Sequence, residues 1–182
     1  MKKIAIVLAL GASMASVPAL AATSPVSGTV DISGTVASKC QFVTASATIT
    51  IIPDMAGSDG TLDASTVNGQ SANLNGWCNK TASTMSVNAT QLTNTAVATA
   101  EPGFVRAVTY TATADAYDFG GSTVIGTAID NTSADGLDGV SANVNMFRGN
   151  IKVTLSNAAT AAGLLAAGTY TGQVKVTLSP AA

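Results

Sequence analysis

Val26, Gly28, Val30, Ile32, Gly34, Val36, Cys40 and Phe42 all fall on even positions of the chain. A period of two is the mark of extended strand with one buried face. The stretch Pro25 to Phe42 is eighteen residues long, about three times the usual strand, which predicts two strand units in series with a break near Ser33 and Gly34. The first unit is then free to pair outside its own domain.

What precedes this stretch sets the compartment. Met1-Lys2-Lys3 is a short basic region, Ile4 to Leu10 is an apolar run too short to span a bilayer, and Ala19-Leu20-Ala21 fits the small-residue cleavage rule. Residues 1–21 are predicted to be a secretory signal peptide, with cleavage after Ala21 or Ala22. About 160 residues remain, enough for one sizeable core and one domain. Six basic residues (Lys39, Lys80, Arg106, Arg148, Lys152 and Lys175) then face ten acids, a net charge of −4. That balance argues against nucleic acid or an anionic membrane as partner.

Cys40 and Cys78 are the two cysteines of a chain bound for an oxidising compartment, so they are expected to form one intradomain disulfide. Closing a loop of that length is worth roughly 4 kcal/mol on the chain-entropy model. The chain has no histidine and no CxxC, which removes the Ser-His-Asp and Cys-His arrangements and the usual zinc sites. No enzymatic activity and no cofactor are expected. Asp115 with Asp118, or Asp130, Asp135 and Asp138, offer paired carboxylates, and these or Asp54, Asp59 and Asp63 offer calcium ligands. Neither run has DxDxDG spacing, and turn-forming neighbours account for both without chemistry.

Charged residues make up 10% of the chain, and Thr, Ser, Ala, Val, Asn and Gly dominate, a composition suited to β structure. Short alternating runs recur between turn residues. They are Thr48 to Ile52; Ala72, Leu74, Gly76 and Cys78; Met85, Val87 and Ala89; and Phe104, Val108, Tyr110 and Ala112. Ser122 to Ile129, Val140 to Phe147 and Ile151, Val153 and Leu155 follow, and Tyr170, Gly172, Val174, Val176 and Leu178 end the series. Asn157 to Ala167 is Ala-rich and reads as a helical piece, a turn or a loop. Seven or more strands at such spacing predict an all-β sandwich. Trp77, next to Cys78, points to the opposite face if Cys78 enters the core, or folds inward at a bulge.

The two ends of the chain are complementary. In an Ig-like strand order, a final strand that reaches residue 178 leaves the last position vacant and an apolar groove open beside it, a kind of edge that must be filled or covered. The alternating arm near the N terminus is a spare strand of the right kind. An arm from one copy that fills the groove of the next gives open-ended, fibre-forming association. The other reading is an ordinary first strand of a closed sandwich.

The run PVSGTVDISGTVASKC resembles the start of mature shaft subunits of chaperone–usher pili, most closely the archaic type and the related spore coat protein U domain family. GTYTGQVKVTLSP resembles their final strand, and the Cys40 to Cys78 separation fits their single disulfide. The resemblance implies residues 22–33 as a donor-strand extension and residues 34–182 as an incomplete Ig-like sandwich completed by donor-strand exchange. Val26, Gly28, Val30 and Ile32 would be the donor positions. Tyr170, Val174, Val176 and Leu178 would mark the acceptor groove and the strand first held by a periplasmic chaperone. The implied partners are further copies of the chain, that chaperone and an outer-membrane usher, with no small-molecule substrate; the implied role is a surface fibre for adhesion or biofilm formation. The alternative is a secreted coat or adhesin domain of the spore coat U kind that does not polymerise.

Overall fold

A computed structural model describes residues 27–52, 54–132 and 139–182. The strands, in chain order, are β1 (Cys40–Thr44), β2 (Ser71–Cys78), β3 (Thr84–Ala89), β4 (Leu92–Asn94), β5 (Phe104–Val105) and β6 (Ala107–Tyr117). They continue with β7 (Val124–Asn131), β8 (Ala142–Asn143), β9 (Phe147–Ala159), β10 (Leu164–Leu165), β11 (Tyr170–Thr171) and β12 (Val174–Ser179). The four-residue helix α1 (Ala64–Val67) is the only helix among the described residues. The chain is therefore all-β, as its alternation predicts.

One sheet runs β1-β2-β9-β6-β4-β11, with β7 also paired to β6, and a second runs β12-β3-β8. Each ladder in these two sheets is antiparallel; β5 and β10 make a short parallel pair of their own. Alternation decides which side chains turn inward. Along β6, Val108, Tyr110, Ala112, Ala114 and Ala116 are buried while Thr109, Thr111, Thr113 and Asp115 take the other face. Ile151, Val153 and Leu155 of β9 and Cys78 of β2 join them, and Met85, Val87 and Ala89 of β3 with Val176 of β12 close the same core from the second sheet. The alanines of β6 leave room for the two layers to approach.

One buried carboxylate lies in this core. Asp130 of β7 is 1% exposed, and its Oδ2 accepts the backbone N–H of Ala89 on β3 at 2.5 Å. It thereby satisfies a β3 donor beyond the reach of β8, which pairs only with Thr84 and Met85. Oδ1 has no partner among the described residues.

Several sequence expectations are corrected. Thr48 to Ile52 forms no strand, because no neighbouring edge reaches it; Ile49 and Ile51 are nonetheless half-buried. Val140 to Phe147 reduces to the two residues of β8, a single bridge from Val140 to Ile129, and Phe147 as the first residue of β9. Asn157 to Ala167 is neither helix nor simple loop, since β9 runs on to Ala159. There the β6–β9 register shifts between Thr109 and Thr111, and Asn157 sits at φ 52°, a left-handed conformation that asparagine tolerates at a bulge. The helix α1 was not foreseen; Asp63 caps it by accepting from the Ser65 backbone N–H at 3.0 Å.

Residues 27–35 carry no strand, helix or bridge. Val30 is 86% and Ile32 92% exposed, so the two strand units expected between Pro25 and Phe42 reduce to β1 at the end of that stretch. Val26 and residues 1–21 lie outside the described residues.

Candidate functional site

The disulfide forms as expected. Cys40 and Cys78 are directly opposite one another on adjacent strands β1 and β2, and are bonded. No free cysteine remains.

Beside β12 lies an open cavity of about 670 Å³. β12 pairs with β3 on one side, and among the described residues its other edge meets no strand. That free edge (Val174, Lys175 and Val176), with Gly172 and Gln173 just before it, is one wall. The facing wall is the segment Ala45 to Ile51, continuing from Phe42 at the end of β1. The floor is the inner face of the first sheet: Ala72 and Leu74 of β2, Val153 and Leu155 of β9, and Tyr110 of β6, with Leu92 of β4. Aliphatic and aromatic side chains dominate this floor, and among the described residues the edge of β12 facing it carries no ladder. The arrangement suits an extended segment with alternate apolar side chains.

Of the groove positions expected from sequence, Val174 and Val176 line the cavity. Tyr170 does not. It belongs to β11, paired with β4, and its Oη donates to the carbonyls of Ala166 at 2.9 Å and Val105 at 3.1 Å; burial raises its phenol above the usual range. Leu178 also stands outside the lining. Its Cδ1 sits 3.0 Å from where a β-carbon on Gly76 would lie, next to the Phe42 ring at 3.4 Å from the same point. The second and first sheets meet there.

Tyr110, which sequence reading placed only on a strand, forms part of the floor. Its Oη donates to the Thr90 carbonyl at 2.8 Å. Burial, with the Asp130 carboxylate second, pushes its pKa up to about 12. Leu74, Val153 and Leu155 likewise carried an inward-facing signal in their alternation. What sequence could not supply was that three separated strands present them to one groove.

The donor positions Gly28, Val30 and Ile32 carry no ladder among the described residues. Trp77 is half-buried on the face opposite Cys78, registered against Gln41 and Arg148. Among the candidate calcium carboxylates, Asp59 and Asp118 hold their own turns, Asp115 accepts from Thr127 Oγ1 on β7 at 2.6 Å, and Asp130 is the buried acceptor for Ala89. Asp59 accepts from Thr61 N at 3.0 Å and Thr61 Oγ1 at 2.8 Å, which lowers its pKa. Asp118 accepts from Ser122 N and Thr123 N, with the same consequence. Asp135 and Asp138 lie outside the described residues, and among the described ones no three His, Cys, Asp or Glu side chains are grouped to hold a metal.

Comparison with protein-family models, with curated proteins and with solved structures finds no match to this chain.

Proposed function

We propose that the chain is an exported structural subunit of a chaperone–usher surface fibre, in which residues 22–33 of one copy fill the groove beside β12 of the next. The two sheets are then an Ig-like sandwich short of one strand. The observation that carries this reading is the open cavity with an aliphatic and aromatic floor that runs along the free edge of β12. The alternating arm with Val30 and Ile32 exposed supplies a strand of matching period.

The dimensions agree. At strand rise, the wall from Gly172 to Val176 extends roughly 16 Å and takes three inward side chains from a donor. Burying each such side chain contributes about 1.5–3 kcal/mol, and each new backbone hydrogen bond about 1 kcal/mol net. Joints of that strength dissociate slowly, which is the mechanical requirement of a fibre for adhesion or biofilm formation. Before assembly the same groove needs a cover, the role assigned to a periplasmic chaperone, with an outer-membrane usher to exchange chaperone for arm. No ligand or cofactor enters this reading.

Deletion of residues 22–32 tests it. The truncated chain is expected to fold, to bind a chaperone and to stay monomeric on size exclusion, while the full mature chain forms ladders in unheated electrophoresis. Polymerisation of the truncated chain would refute the donor role of the arm, whereas a full mature chain that stays monomeric would favour a self-contained domain of the spore coat U kind.

A further inference from the structure

The arm poses a problem of register. Gly28, Val30, Ile32, Gly34 and Val36 share one parity, so a donor that slips by two residues still turns small or apolar side chains into the groove. Alternation forbids a slip of one and permits a slip of two. A unique joint therefore needs a physical end to the groove.

We propose that Leu178 is that end. This inference rests on the donor-arm reading and adds to it the residue that fixes where the arm of a second copy stops. Val174, Val176 and Leu178 share one face of β12 and pair in succession with Ala89, Val87 and Met85 of β3. Two of the three line the cavity; the third does not. Leu178 is half-buried over Gly76, where the Phe42 ring also comes within 3.4 Å of a β-carbon built on Gly76, and both pack against the core. Gly76 is what lets it seat: a β-carbon there would come within 3.0 Å of Leu178 Cδ1 and 3.2 Å of the Gln41 carbonyl. An incoming strand can run beside Gly172 to Val176 and then meets the Leu178 side chain backed by the Phe42 ring. At the opposite end the wall is Gly172 and Gln173, beside which Tyr110 reaches the Thr90 carbonyl. Leu178 thus marks the far end of the β12 wall and is a positioning residue for the donor.

Inter-chain cysteine pairing reads the register directly. In the full mature chain, Val174→Cys is combined in turn with Gly28→Cys, Val30→Cys, Ile32→Cys and Gly34→Cys, and disulfide-linked dimers are quantified on non-reducing gels. One arm position is expected to exceed its same-parity neighbours on the order of tenfold, the ratio set by about one lost side-chain contact. In a Leu178→Ala background the yield should spread to the position two residues away and become comparable at both. Leu178→Val, which trims a single carbon, serves as a second variant, and intact mass showing the Cys40–Cys78 bond reports folding in each. An unchanged dominant position in both backgrounds would overturn Leu178 as the stop and leave the donor arm standing. Absence of any arm-to-groove pairing in every background would overturn the donor arm itself, and the stop with it.

Discussion

The arm and the final strand carry the same pattern and have different fates. Val30 and Ile32 alternate as regularly as Val174 and Val176, yet the first pair is 86% and 92% exposed without a ladder, whereas Val176 is 9% exposed and paired to Val87. Alternation gives a segment the capacity to be a strand. A neighbouring edge with a hydrophobic face decides whether the capacity is used. The segment Thr48 to Ile52 lies between these cases, with β-branched residues and half-buried Ile49 and Ile51, but no edge to join.

The largest effect expected is at the boundary between the two regions, where Cys40 begins the paired chain. Replacing both Cys40 and Cys78 with alanine should cost about 4 kcal/mol in a urea titration, the loop-closure value for this separation. A loss under about 1 kcal/mol would mean that the β1–β2 ladder holds without the bond.

The next largest effect separates the two regions directly. Val176→Lys forces an ammonium against the core and should destabilise the chain by about 3 kcal/mol, while Thr177→Lys, on the other face of the same strand, should change stability by less than about 0.5 kcal/mol. Val30→Lys should match Thr177→Lys in stability and differ from it in abolishing fibre ladders. If Val30→Lys instead unfolds the monomer to the same extent as Val176→Lys, residues 22–33 belong to their own core and the contrast between arm and strand collapses.

The smallest effect concerns the groove floor. The fold raises the Tyr110 pKa above its ordinary value, so it favours the neutral phenol. That contribution is fully present below pH 10 and is lost as pH rises from 10 toward 12. Tyr170 shifts in the same direction. Denaturant midpoints should fall between pH 9 and pH 11.5, and Tyr110→Phe should flatten the fall. A wild-type profile that is level across that window would show the floor to be wetter than its burial implies.

Much of the fold was legible. Two cysteines permit one pairing, and β2, β3, β9 and β12 announce themselves through residues such as Leu74, Val87, Val153 and Val176. The misses share one cause. A ladder at Thr48 to Ile52 depends on an edge supplied from elsewhere, β9 continues past Asn157 only because Thr109 on β6 accepts a bulge, and α1 is too short for a helical period. The groove was anticipated as a vacancy beside the last strand. Its true extent was hidden, because Leu178 keeps the parity of Val174 and Val176 and is withdrawn from them only by the nearby Gly76 and Phe42.

The position of the disulfide bears on force. Tension that reaches Cys40 from the preceding residues would, without the bond, act on β1, a strand that among the described residues is paired to β2 alone. Such a strand peels one rung at a time. With the sulfurs joined, the pull passes through a covalent link at the first rung into β2, which is laddered on both edges, to β1 and to β9. The load is then spread in shear across the sheet, and the rungs must fail together.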